Sequence, residues 1–401
     1  MKKQLAMALL ATVSIGAVAQ DVTEEKKDST GFVFTDVKVI ESTPVRDQNK
    51  SGTCWCFAGT TFFEDEIIRK GGKPVDLSEM FTVRQCYIDK ADRYVRMDGK
   101  TNFSQGGSIL DVPYVWKRYG AVPEEAYRGL EYGEDNHVHG ELEGGMKAYL
   151  DVVRRNPNRR LSTAWPVALA GIVDAYLGEV PETFVVDGKT YTPKSYAESL
   201  GIDPDDYIPV TSFMHHPYYE SFAIEVPDNW LWGNYCNVPL DDLKAIIDNA
   251  VENGFPLVWA ADVSEQGFKW KKGVAVMPKE KNEADMEGTE LARWVKLSDS
   301  EKKAKQYEFD GPVDEIDVTP ESRQAMFDRR ETTDDHGMEI VGYAVDQNGK
   351  RYYKVRNSWT DKQVYNGYFY VSEPYVLAKT LDILVHRDAI PKAIARKMKL
   401  K

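Results

Sequence analysis

Cysteine is scarce, with four in 401 residues. That excludes a disulfide scaffold as the means of holding so long a chain together. No Cys-x-x-Cys and no paired metal-ligand spacing occurs, so neither a structural zinc site nor a thioredoxin-type redox pair has its residues. Positive charge is also short: 51 Lys and Arg stand against 64 Asp and Glu, a formal net charge of −13. Such a surface offers no attraction to nucleic acid or to an anionic membrane. After the first twenty residues no apolar run is long enough to cross a bilayer. Internal repeats and low-complexity blocks are absent, and nothing in the chain calls for a cofactor.

What remains is ordinary soluble composition, 42 % hydrophobic and 29 % charged. The length supports one large domain or two lobes. The first residues, MKKQLAMALLATVSIGAVAQ, combine two lysines, a short apolar run and a small-x-small ending. This is the pattern of a secretory signal peptide over 1–19, cut after Ala19. It predicts an exported protein, periplasmic or secreted, with no membrane span once the signal is removed. Residues 20–43 read as an N-terminal leader.

Helical spacing dominates the first half. Ala58 and Phe62, and Phe63 and Ile67, lie four apart in a stretch from Cys54 to Lys70 that Gly71-Gly72 stops. Further helices are predicted over Leu77–Tyr94, Leu110–Tyr119, much of Gly140–Tyr176, and Leu240–Asn253. Phe255–Ala261 is a short apolar run and reads as a buried strand. Residues 279–335 are charged, with Trp294, Tyr307 and Phe309 as scattered anchors. Met338–Val345 and Arg351–Arg356 form two strand-like runs around the turn sequence DQNG. Helices first and strands later give an α+β class with two lobes.

Cys54 and Cys56 flank Trp55. A helix beginning near Cys54 puts that thiol at the positive end of the helix dipole, which favours the thiolate. Cys56 is turned about 200° round the same helix, into packing. A nucleophilic thiol needs a base and a group to orient that base. His336 heads a strand, and the DQNG turn returns the chain toward Asn357. A tight two-residue loop leaves these two about four positions out of register, a gap that a bulge or wider loop has to close.

Gln48-Asn49-Lys50-Ser51-Gly52-Thr53-Cys54-Trp55 resembles the active-site segment of the papain-like cysteine peptidases. His336-Gly337 opening a strand, the run YKVRNSW at 353–359 and SQGG at 104–107 match three further motifs in the same order. The stretches DAYLGEVPETF, HPYYESFAIEVPDNW and GFPLVWAADV resemble the bleomycin hydrolase/aminopeptidase C branch. The resemblance implies a papain-like two-lobed fold, a helical lobe and an antiparallel β lobe facing across a cleft, with a large helical insert. Residues 44–385 would form the peptidase domain, the helical lobe over about 44–235 and the β-rich lobe over about 236–385. It implies Cys54 as nucleophile, His336 as its partner, Asn357 orienting the ring and Trp359 shielding that bond. Gln48 would complete an oxyanion hole, and Gly106 and Gly107 would let a peptide backbone lie close. Peptide substrates and a homo-oligomer, a hexamer in that branch, follow by the same resemblance, with no metal.

One departure bears on specificity. The branch ends in an apolar arm that blocks one side of the cleft, whereas residues 386–401 here form a basic tail. An open cleft would suit an endopeptidase or dipeptidyl peptidase. Asp335, directly before His336, is a candidate to bind a substrate's ammonium group in place of the arm. A peptide-binding protein that has lost catalysis is the remaining alternative. Whether Cys56, Cys86 and Cys236 include a disulfide is left open by sequence.

Overall fold

The computed structural model describes residues 31–400. The predicted signal peptide and the polar stretch to Thr30 lie outside the described residues. Six helices precede most of the sheet: α1 (Cys54–Arg69), α2 (Glu79–Arg96), α3 (Asp111–Tyr119), α4 (Gly140–Arg154), α5 (Trp165–Leu177) and α6 (Pro193–Ser199). Helix α1 is buried on every side from Trp55 to Ile67, as a helix at the centre of a large core must be. Lys70 caps its end and Gly71 follows at φ +86°, the left-handed geometry that glycine tolerates best. Ser78 caps α2 by accepting the Phe81 backbone N–H, one of the donors a helix start leaves unpaired.

Strand β1 (Phe34–Val39) comes first in the chain, and β2 (Phe184–Val186) with β3 (Lys189–Tyr191) makes a separate ribbon. The others are β4 (Tyr207–Thr211), β5 (Ser221–Phe222), β6 (Tyr235–Asn237), β7 (Leu257–Ala261), β8 (Phe268–Lys269), β9 (Val274–Ala275), β10 (His336–Asp346), β11 (Arg351–Arg356), β12 (Tyr368–Ser372) and β13 (Thr380–His386). They join in one sheet, ordered β5-β6-β4-β13-β7-β10-β11-β12-β9-β8. Helices α7 (Leu240–Glu252), α8 (Gly288–Trp294), α9 (Asp299–Gln306), α10 (Pro320–Asp328), α11 (Glu373–Lys379) and α12 (Lys392–Lys397) complete the chain.

Strand alternation divides the interior. On β7 and β13, Val258, Ala260, Leu381 and Leu384 join the core of α1 and the helical lobe. Leu257, Trp259, Ala261, Ile383 and Val385 face the other way, toward α7 and α11. Both faces of these strands are therefore buried, which is why FPLVWAA shows no alternation in sequence.

Three expectations change. The segment read as leader becomes, from Phe34, strand β1, paired antiparallel with β10 from Phe34↔Asp346 to Val39↔Gly342. It continues the edge on which β7 pairs the first half of β10, so the sheet also recruits chain from before Cys54. Strands β4 and β5 likewise lie in this sheet although they precede the boundary placed near 235. The basic tail is not a loose end: Ile394 and Met398 are buried in the core on the α7 side. Asn249 on α7 donates to the Ala389 carbonyl at 2.7 Å. Deletion of residues 392–401 is expected to lower stability by about 2–4 kcal/mol, from the burial of two apolar side chains. Urea unfolding measures it; an unchanged midpoint would mean the tail contributes nothing.

Candidate active site

Cys54 is the first residue of α1, where backbone N–H groups have no carbonyl partner within the helix. His336 is the first residue of β10, paired to Ala261. The two side chains line one narrow hollow between the helical lobe and the sheet. Gly337 makes that approach possible. A Cβ there would stand 3.0 Å from the Trp55 Cα, and the Gly337 N–H instead reaches the Cys54 sulfur.

The register gap closes in two ways. Residues 347–350 form a wider loop, with Asp346 accepting the Asn348 and Lys350 amides at 2.8 and 2.9 Å. A bulge between Ile340 and Gly342 then shifts the pairing. Asn357 consequently reaches the ring, and its Oδ1 lies 2.7 Å from His336 Nε2. The Ser358 N–H donates to the same Oδ1 at 2.8 Å, which fixes which end of the amide faces the imidazole. An oxygen acceptor there means Nε2 carries the proton, and Nδ1 keeps its lone pair. The Trp359 ring packs on His336 at 4.7 Å between centroids, flanked by Trp270 and Phe268. That wall keeps water from the His336–Asn357 bond.

Gln48 is held in place at both ends. Its Nε2 donates to the Ser51 carbonyl at 2.7 Å and its Oε1 accepts from the Ser358 hydroxyl at 2.6 Å. One amide hydrogen of Gln48 remains for another acceptor. Cys56 faces away, as its angle on the helix predicts, and its thiol donates to the Glu79 carbonyl at 3.2 Å. All four cysteines are free thiols.

Electrostatics run against the expectation of a thiolate favoured by the helix dipole. Burial pushes the Cys54 thiol up to about 11, the Gly337 and Trp55 amides pull it back, and Asp334 and Asp228 push it further up. Burial also pushes the His336 imidazole down to about 4, against the bond to Asn357. The thiol therefore keeps its proton and the imidazole takes up no second one over a wide pH range. Moving the thiol proton from sulfur to Nδ1 creates both charges together, so each offsets the other.

The glycine pair is closely packed by this chain's own side chains. The space a side chain would need at Gly106 is filled by the Asp228 carboxylate, and at Gly107 by Asp111 and the Trp55 ring. Only Gly107 of the two lines the hollow. The Asp335 carboxylate accepts the Val263 and Ser264 amides at 3.2 and 3.0 Å and adjoins Asp262, which Lys379 neutralises. That leaves its neighbour Asp334, together with Asp228 and Asp382, facing Cys54. Asp228 is distant in sequence and gave no signal. Asp382 carries one, as the lone carboxylate in the otherwise apolar strand run TLDILV.

The tail does not enter this site. None of residues 387–400 lines the hollow, because α12 packs on the sheet face opposite α1.

Comparison with known proteins bears on both halves of the site. Residues 34–158 match the papain family cysteine protease description, and residues 280–401 match the peptidase C1-like family. Aminopeptidase C of Listeria monocytogenes is 22% identical over 88% of this chain and 82% of its own. Aminopeptidase C of Streptococcus thermophilus is 23% identical over 91% and 85%. The crystal structure of PepW from Lactobacillus rhamnosis aligns with a TM-score of 0.67 at 18% identity, over 91% of this chain and 84% of that one.

Proposed function

Because the chain belongs to the papain-like cysteine peptidases, on the bleomycin hydrolase/aminopeptidase C branch, we propose that it is an exported aminopeptidase working through Cys54, His336 and Asn357. The observation that carries the catalytic reading is the 2.7 Å bond from His336 Nε2 to Asn357 Oδ1, with Cys54 in the same hollow. Nδ1 takes the thiol proton as sulfur attacks the peptide carbonyl. The Cys54 backbone N–H and the free amide hydrogen of Gln48 receive the oxyanion. Protonated His336 then gives its proton to the leaving amine. A water, deprotonated by the same ring, releases the acyl group from sulfur.

The relatives named aminopeptidase C support action at a free amino end. The position of the tail favours a second reading, an endopeptidase or dipeptidyl peptidase, since none of residues 387–400 lines the hollow. Free-amine and N-acetylated fluorogenic peptides of the same sequence separate the two. Faster turnover of the free amine is expected, and equal or slower turnover would overturn the aminopeptidase reading. An epoxide inhibitor is expected to label Cys54; failure to label would favour a binding protein without catalysis. For export, a mature chain starting at Gln20 is expected by mass spectrometry, and retention of Met1 would contradict it.

Gln48→Ala is expected to lower kcat by about 10²–10³-fold with little change in KM, the usual cost of one oxyanion donor. Steady-state kinetics decide it, and a change confined to KM would remove Gln48 from that role. The two shifts give a pH prediction. Below about 4 the imidazole gains a second proton and no base remains; above about 11 the thiol loses its proton. With an N-acetylated substrate, kcat/KM should rise through about pH 4 and stay flat across neutral pH.

A further inference from the structure

Asp228, Asp334 and Asp382 reach the hollow from three separate parts of the chain. Asp228 sits in a loop that Asn229 braces through bonds to the Ile224 and Gly233 carbonyls and the Gly233 amide. Asp334 ends the segment before β10, and Asp382 lies on β13 opposite Ala260. Among the described residues no Lys or Arg lines the space. The nearest cations are committed elsewhere. Lys90 donates to the Gly106 and Ser104 carbonyls, and Arg323 to the carbonyls of Ser212, Leu377, Ala378 and Thr380.

Asp382 is 5 % exposed, and its Oδ1 is fully buried without a hydrogen-bond partner among the described residues. Asp334 likewise has no hydrogen bond there, whereas Asp228 accepts one from Asn102 at 2.9 Å. A buried carboxylate without a partner is costly, and a cation removes that cost. The space they border is about the size of one water molecule, which an ammonium group fits and a guanidinium does not. An α-amine nitrogen stands about 2.5 Å from its own carbonyl carbon by standard bond lengths and angle. A site bordering the Cys54 sulfur is therefore in the right place for the amine of the residue under attack.

We propose that Asp228, Asp334 and Asp382 form the pocket for the substrate's α-ammonium group. The proposal rests on the aminopeptidase reading and supplies the recognition that the tail does not. Asp334 and Asp228 oppose ionisation of Cys54 while the pocket is empty. A bound ammonium cancels their field and adds one of the opposite sign, so the correct substrate also favours the thiolate. The carboxyls are protonated more readily than free aspartate, all three by burial first; the charge of Asp228 adds to this at Asp334, raised to about 7, and that of Asp334 at Asp382. Binding an ammonium should thus release protons.

The test compares a free-amine aminoacyl fluorogenic amide with its N-acetylated form in the wild type, Asp334→Asn and Asp382→Asn. The ratio of their kcat/KM values is expected to fall at least ten-fold in both variants. The wild-type rise of the free-amine rate through about pH 7 should disappear in Asp334→Asn. Epoxide labelling of Cys54 shows that each variant is folded. A ratio unchanged in both labelled variants overturns the pocket while leaving aminopeptidase action intact. A wild type without free-amine preference overturns that action itself. Loss confined to substrates with Lys or Arg before the scissile residue would also overturn the α-amine assignment, in favour of a side-chain ammonium.

Discussion

Cys54→Ser is expected to keep the fold and lose at least about 10⁴-fold in kcat, the scale on which removing a nucleophile acts. Serine occupies the same space at the start of α1, but its hydroxyl is a far weaker acid than a thiol, and His336 is a poor base for it. The His336–Asn357 bond does not depend on sulfur, and a serine oxygen can accept the Gly337 N–H that reaches the thiol, so thermal unfolding should change little. Alanine in place of Cys56, Cys86 or Cys236 should leave kcat near the wild type, since none of these lines the hollow. The measurement is steady-state turnover beside a melting curve. Residual activity above about a hundredth of wild type in Cys54→Ser would mean that another group attacks the substrate.

The second large effect concerns stability. Arg356, one residue before Asn357, is buried and pairs with Asp65 of α1 at 2.9 Å and with Glu339 of β10. It also donates to the Thr43 carbonyl at 2.7 Å, and Thr43 bonds in turn to Asp65 and Glu64. This network ties α1, which begins at Cys54, to β10 and β11. Arg356→Met is expected to destabilise by about 3–5 kcal/mol, because it strands carboxyls in a dry interior. Adding Asp65→Asn and Glu339→Gln should restore part of the loss, since the stranded charges are then gone. Urea unfolding of the single and triple variants measures both. A single variant within 1 kcal/mol of wild type would show that packing alone joins the lobes.

Sequence exposes those parts of the molecule whose cause is local. The start of α1 at Cys54, the cap at Ser78, the stop at Gly71 and the turn at Asn348-Gly349 each depend on residues a few positions apart. The catalytic candidates were legible for the same reason, each sitting in a short run with its own turn or helix start. Strand β1 was not, because five of its six residues are exposed and its polar surface looks like a leader. The tail misled through its lysines and arginines, although Ile394 and Met398 have helical spacing. The three aspartates facing Cys54 have no shared sequence neighbourhood; only the crossing of a loop, a strand start and β13 brings them together. That the Cys54 thiol holds its proton more tightly than a free one likewise depends on burial by both lobes.

Placing the two halves of the catalytic pair at opposite ends of the chain has a consequence during synthesis. The thiol leaves the ribosome about 280 residues before the imidazole, a delay of roughly 15–60 s at ordinary elongation speeds. β10 must then slot between β7 and β11, with β1 laid along its far end, before the pair is complete. A nascent or truncated chain that lacks that strand also lacks the proposed base, and on that reading it is expected to be inert toward its neighbours.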